Sequence, residues 1–175
     1  RINLDTKEIY RCPSTANGFE YRPLSNILHN SWINCLLCST NDKLYIGTYD
    51  GLGCLDIPTM DFVSTYEINR LLQGDVIYAL YEDLHHNIWV GTSQGLKQLN
   101  PQTQKVREYT ISDGLPSNSI SAIEGDANGN LWISTNFGIS RFNPGTQTFV
   151  NFYASDGLQG NEFSKGVSFA STQGE

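Results

Sequence analysis

The chain has 175 residues, enough for one domain with a buried core, and its 39% hydrophobic, 11% aromatic and 17% charged content excludes a disordered chain. Eleven Lys and Arg against eighteen Asp and Glu give a net charge of -7, which repels phosphate backbones and anionic lipid surfaces and excludes nucleic acid as a partner class. No apolar run approaches the roughly 20 residues that span a bilayer, and the segment from Arg1 has neither the basic nor the apolar region of a signal peptide, so any export address of the parent protein is expected outside this chain.

In chain order, residues 1–12 read RINLDTKEIYRC, two short strands around a turn at Thr6. A long connection follows, from Ile9 to Ile33, and contains Phe19, Tyr21, Arg22, His29, Asn30 and Trp32. The apolar run from Ile33 to Cys38 reads as a strand whose continuous character predicts burial on both faces. Its Cys35 and Cys38 form a CxxC, but residues three apart on a strand face opposite sides, and no second CxxC or His pair follows. Buried, apolar, unbridged thiols are therefore expected, with no metal site; the approach of Cys12 and Cys54 to another thiol stays open.

From Lys43 the chain reads KLYIGTYDGLGCLDIPTMDFVSTY, and this pattern returns twice, as NIWVGTSQGLKQLNPQTQKVREY from Asn87 and NLWISTNFGISRFNPGTQTFVNF from Asn130. Trp89 and Trp132 are 43 apart, as are Gly95 and Gly138, Pro101 and Pro144, and Thr103 and Thr146; Tyr45 and Gly51 stand 44 before Trp89 and Gly95. The opening segment RINLDTKEIYRC matches RFNPGTQTFVNF from Arg141. Each unit parses into four strands: an apolar first strand at 33–38, 76–81 and 119–124, with a further copy expected at 163–169; a second strand bearing Tyr45, Trp89 or Trp132; a third running to an Asn/Asp-Pro-x-Thr turn; and a short fourth holding Phe62, Val106 or Phe149. No stretch of helical period appears.

Four short antiparallel strands every 43 or 44 residues is the arithmetic of a β-propeller blade, for which about 40–45 residues is usual. The chain is therefore expected to be all-β, a β-propeller fragment of four-stranded antiparallel blades, with a half blade at 1–12, full blades at 31–66, 74–110 and 117–153, and the start of another at 162–175. A closed ring needs about 4–8 blades, so further blades are expected in the parent domain. Trp89, Trp132 and Tyr45 are expected to be buried at matching places between blades.

The pattern lacks the Gly-His and Trp-Asp signatures of WD40 repeats and the paired glycines of kelch. It resembles the two-component regulator propeller repeat, with its Asp/Asn-Gly turn, Leu-Trp-Ile-Gly-Thr, two variable residues, Gly-Leu and Asn-Pro-x-Thr turn. Departures are local: Tyr45 replaces Trp, Ser134 replaces Gly, and His85-His86-Asn87 replaces the Asx-Gly turn. The resemblance implies the periplasmic sensor region of a hybrid two-component histidine kinase/response regulator of the inner membrane. It further implies recognition of an oligosaccharide and control of glycan-use genes through domains absent from this chain. It also implies contacts to the remaining blades, is compatible with a homodimeric parent receptor, and calls for no cofactor and no catalytic residue here.

Alternation of strand direction puts the reversal between strands two and three on the same face as the connection from strand four to the next blade; the tight turns lie opposite. On that loop face the residues before each glycine do not repeat: Tyr49-Asp50, Ser93-Gln94 and Asn136-Phe137. The connection from Ile9 to Ile33 is 24 residues, against 14 or 15 for its counterparts. Aromatic faces stack on sugars, and Asn, Asp and Arg bond hydroxyls. The candidate ligand-binding set is accordingly Trp32, Tyr49, Asp50, Tyr21, Arg22, His29, Asn30, Gln94, Asn136 and Phe137, with Phe19 expected only to fold the long connection back. The rival classes are a propeller lyase or hydrolase acting on a glycan, for which Asp50 and Glu162 are the only carboxylates to consider and His85-His86 lie on the wrong face, and a structural or protein-binding propeller.

Overall fold

The computed structural model describes residues 2–3, 8–11 and 20–23 as backbone strands, and residues 32–63, 72, 75–166 and 168 in full. Its strands form four antiparallel sheets, as expected of propeller blades. The first holds β1 (Ile2–Asn3), β2 (Glu8–Arg11) and β3 (Glu20–Pro23), and the second β4 (Ile33–Cys38), β5 (Lys43–Thr48) and β6 (Gly51–Asp56). The third holds β7 (Ile77–Glu82), β8 (Ile88–Thr92), β9 (Leu96–Asn100) and β10 (Lys105–Tyr109); the fourth holds β11 (Ile120–Gly125), β12 (Leu131–Thr135), β13 (Ile139–Asn143) and β14 (Thr148–Phe152). We call the second, third and fourth sheets blades A, B and C.

Four features depart from the sequence reading. Tyr21 and Arg22 lie on a strand, β3, opposite Tyr10 and Ile9 of β2, so the long connection is not simply a loop on one face. Among the described residues the fourth strand of blade A shows one bridge, between Phe62 and Leu55. Residues 162–164 form no strand and Lys165-Gly166 form a turn; Phe169 lies outside the described residues. In β4 every second residue, Asn34, Leu36 and Cys38, is exposed, because no described sheet covers that side.

The blades join along their inner strands. β4 lies beside β7, and β7 beside β11. Each inner strand carries a register shift at the same place, between Ile33 and Cys35, Ile77 and Ala79, and Ile120 and Ala122. Such bulges sharpen the local twist. The bulged residues reach the segment that follows their own blade: Asn34 Nδ2 donates to the Ile77 carbonyl of β7 at 2.9 Å, and Ser121 Oγ to that of Phe163, beyond β14, at 3.0 Å. Approach here is close enough that a Cβ built at Gly47 would stand 2.6 Å from Ile77, and one at Gly91 2.6 Å from Ile120. That is the reason for glycine in Ile-Gly-Thr and Val-Gly-Thr. In blade C the position is Ser134, whose hydroxyl is buried without a hydrogen-bond partner.

Further out, large side chains fill the widening seam. Trp89 is fully buried, with Phe142 of blade C edge-on at 5.6 Å and Tyr109 of its own blade at 6.0 Å. Phe142 in turn stacks on Phe149 at 4.3 Å. Tyr45 takes the same place in the A–B seam, buried with Ile77, Ile88, Val90 and Leu99. Trp132 does not follow: it is 38% exposed, stacked on Phe152 at 5.7 Å, because no described sheet covers the outer side of blade C.

Cys35 and Cys38 are both free thiols on opposite sides of β4, one half-buried and one exposed, and Cys54 is a buried free thiol. Cys35 Sγ lies over Gly47, and burial pushes its pKa up to about 12. Cys12 lies outside the described residues.

Two outcomes follow. Trp89→Ala should lower unfolding free energy by about 3–5 kcal/mol, the range for deleting a core aromatic, and Trp132→Ala by only about 1–2 kcal/mol, as expected of partial burial; urea unfolding of both variants reads the difference. Under native alkylation at pH 8, Cys38 should react first, with Cys35 and Cys54 protected until the protein unfolds. Equal labelling of Cys35 and Cys38 by peptide mapping would contradict the strand geometry.

Candidate functional site

The two-residue reversal between second and third strands is built identically in each blade. Thr48, Thr92 and Thr135, all buried, donate their hydroxyls to the carbonyls of Gly51, Gly95 and Gly138 at 2.9, 2.9 and 3.0 Å. The same hydroxyls accept the N–H of Asp50, Gln94 and Phe137. The three glycines have φ of 118°, 145° and 96°, a left-handed backbone that disfavours other residues. A second bond ties each reversal to the residue entering its own inner strand: Tyr49 N–H to the Trp32 carbonyl, Ser93 to Val76, and Asn136 to Ser119. The scaffold thus holds a variable pair against a variable single residue, once per blade.

What the scaffold displays differs. In blade A it is Trp32, 78% exposed, beside Tyr49, 53% exposed, with Asp50 also exposed. In blade B it is Val76 with Ser93 and an exposed Gln94. In blade C, Asn136 Oδ1 accepts from Ser117 Oγ, and Phe137, 53% exposed, leans on Tyr153 at 5.7 Å. The backbone bond thus sets Trp32 beside Tyr49, with Asp50 next in the reversal; Gln94 and the Asn136-Phe137 pair sit at matching places on the neighbouring blades. Tyr21 and Arg22 are placed on β3, their side chains outside the described residues, as are His29 and Asn30 altogether. Asp50 and Glu162, the carboxylates weighed for catalysis, are both exposed. Among the described residues no group of three His, Cys, Asp or Glu is placed to hold a metal ion.

The connections on this face are more regular than the sequence reading held. After β10, Thr110 caps a 3-10 turn at Ile111–Asp113, closed by Gly114. After β14, Ala154–Asp156 does the same, closed by Gly157. Asn118 Oδ1 accepts from Ile111 N–H at 2.9 Å and Asn161 Oδ1 from Ala154 N–H at 2.7 Å, tying each connection across itself. The signal was present as Ser-Asp-Gly-Leu-x-x-Asn, at 112–118 and again at 155–161. These residues build the face and leave little of the connections free to vary.

The opposite face is made of clamped turns. In blade B, Asp83 Oδ1 accepts the N–H groups of His85 and Asn87, while Oδ2 accepts Asn87 Nδ2 at 3.0 Å and the Trp89 indole at 2.8 Å. In blade C, Asp126 holds Asn128, Asn130 and the Trp132 indole in the same way. Burial pushes the Asp126 carboxyl up, but the bonds from Asn130, Trp132 and Asn128 outweigh it and keep the group below its ordinary value. Blade A changes the whole set: Ser39 stands for the aspartate, Tyr45 for the tryptophan, and Lys43 pairs with Asp56. Lys43 and the Thr59 N–H and hydroxyl hold Asp56 at about 2.

Blades A and B are latched on this face. Thr40 N–H and Oγ1 donate to the two carboxylate oxygens of Glu82, each at 2.7 Å, and His86 Nδ1 lies 3.0 Å from both Thr40 Oγ1 and Glu82 Oε1. Burial pushes Glu82 up, and the bonds from Thr40, then from His86, bring it below its usual range.

Residues 114–137 match the family model described as "Two component regulator propeller". No curated protein matches the chain. Among solved structures, the extracellular domain of BT3049 from B. thetaiotaomicron, assigned as a hybrid two component system, is similar at 21% identity and TM-score 0.66 over 75% of this chain and 18% of that one. The extracellular domain of BT4673 from the same organism, assigned as a one component system, is similar at 20% identity and TM-score 0.70 over 94% of this chain and 22% of that one. Virginiamycin B lyase from Staphylococcus aureus, in a catalytically inactive H270A form with quinupristin, is similar at 15% identity and TM-score 0.62 over 85% and 49%. At these identities the likeness is one of fold, and the chain spans about a fifth of the two B. thetaiotaomicron domains. The matched stretch runs from the glycine closing one connection through the first two strands of blade C to its reversal; residues 114–137 thus match the two-component regulator propeller repeat, within a chain whose fold is that of a β-propeller segment.

Proposed function

We propose that the chain is a ligand-sensing segment of an extracytoplasmic two-component receptor, and that its loop face in blade A takes an oligosaccharide. The observation that carries the reading is the exposed Trp32 beside the exposed Tyr49, joined by a backbone hydrogen bond of 3.2 Å at the mouth end of an inner strand. Exposed aromatics at a rigid, solvent-facing site are what a sugar ring stacks on, and Asp50 beside them offers acceptors to its hydroxyls. In this reading the sheets are consecutive parts of one propeller whose remaining blades complete the face. Periplasmic placement, control of glycan-use genes and kinase activity belong to the parent receptor.

In the complete receptor, Trp32→Ala should weaken oligosaccharide affinity more than tenfold, equivalent to about 1.4 kcal/mol, with the fold retained by circular dichroism. Calorimetric titration with a panel of oligosaccharides reads this directly. Unchanged affinity in folded Trp32→Ala and Tyr49→Ala would place the site elsewhere. Product formation from the sugar would make the protein an enzyme, and silence across the panel would leave a scaffold.

A further inference from the structure

The B–C seam on the turn face is open where the A–B seam is latched. The latch residues are Thr40, Glu82 and His86; one repeat later the same positions are Leu84, Gly125 and Gly129. Backbone geometry does not account for the change, since His86 and Gly129 share a left-handed conformation, φ 62° and 78°. What changes is the volume filled. With the carboxylate and the imidazole gone, a groove of ≈ 710 Å³ lies between the two turns. Gly125 also admits Tyr81, whose hydroxyl lies 1.9 Å from where a Cβ at that position would stand.

The groove has an apolar wall and a polar end. Leu84, 81% exposed, lines it together with Ala127 and Pro144. Most of its polar atoms are committed: Asp83 and Asp126 hold their own turns, and Asn143 accepts from Gly145 and Thr146. Among the described residues the Tyr81 hydroxyl and the side-chain amides of Gln98 and Asn128 have no hydrogen-bond partner, and all three residues line the groove. Burial first, then the charges of Glu124, Asp83 and Asp126, push the Tyr81 phenol up, so it stays a neutral hydroxyl whose oxygen can accept a hydrogen bond from a cation. The other titratable neighbour is the exposed His85.

We propose that this groove binds an aliphatic amine or guanidinium, its carbon stem along Leu84, Ala127 and Pro144 and its cationic head on Tyr81 and Gln98 within the field of Asp83 and Asp126. The site is independent of the loop face, since the two lie at opposite ends of the strands.

The test is an amide-resolved NMR titration of the labelled protein with 1,5-diaminopentane, with 1,5-pentanediol as the uncharged match. Saturable shifts confined to 81–87, 98 and 126–130, weakening as salt rises from about 0.05 to 0.5 M, are expected with the diamine and not the diol. Gly129→His should plug the groove and weaken binding at least tenfold, since nothing lies within 4 Å of a Cβ at that position. Gln98→Ala should weaken binding as well, which keeps the test decisive if the first variant folds poorly. No saturable shift, equal binding of the diol, or unchanged affinity in either folded variant would overturn the proposal.

Discussion

Flat sheets set side by side around an axis are crowded at the inside and gapped at the outside, and both ends of that wedge must be satisfied at once. The inner end is met by absence: Gly47 and Gly91 remove a Cβ that would collide with Ile77 and Ile120 of the following strand. The outer end is met by bulk, with Trp89 filling a seam that Phe142 and Tyr109 close around it. Glycine and tryptophan are two residues apart on β8, so two positions on the same face of one strand answer the two halves of one geometric demand. Ser134 on β12 relaxes the inner half of that rule, at the cost of a buried hydroxyl left without a partner.

The turns at either end of the blades make their own hydrogen bonds and need nothing from a neighbour. Asn100 Oδ1 accepts from Gln102 and Thr103, and Asn143 Oδ1 from Gly145 and Thr146, which is what the Asn-Pro-x-Thr signature encodes. Proline has no N–H to offer and sits where none is called for. Local closure of this kind leaves the blade-to-blade contacts, such as Arg107 to Gln147 at 2.6 Å, free to differ from seam to seam. The difference between a latched A–B seam and a grooved B–C seam is one result.

Much of this was legible in the residues. Spacing of 43 and 44 fixed the blades, and the alternation of strands fixed which loops share a face. Less legible was anything depending on what stands beside a strand. Trp132 carries the same signature as Trp89, yet its exposure follows from the lack of a described sheet beyond it, which its own sequence does not encode. Likewise the apolar run of β4 has the composition of a doubly covered strand but is covered on one side. Phe62 has the place of a fourth strand and, among the described residues, forms one bridge, with Asp61 and Val63 bonded to β6 on either side of it. Tyr21 and Arg22 show the opposite error: an insertion measured only by its length concealed a strand that pairs with β2. On the candidate face, Trp32 and Tyr49 stand out because they break the repeat, while the order of the connections is carried by a Ser-Asp-Gly-Leu-x-x-Asn motif at 112–118 and 155–161 that loop length does not reveal.

The concerted change in blade A bears on how such arrays grow. Asp83, Asn87, Trp89 and Asn100 form one bonded set, and at the corresponding places blade A has Ser39, Lys43, Tyr45 and Asp56, a different set with its own ion pair. A hybrid of the two leaves something stranded: a tryptophan at 45 facing Ser39 would have no carboxylate for its indole N–H, and a lysine at 87 would face Asn100 with no counter-charge. Both sets are contained in the span from the first turn to the end of the third strand. For these four positions that span, rather than the single residue, is the smallest piece that can be exchanged between blades with every bond kept.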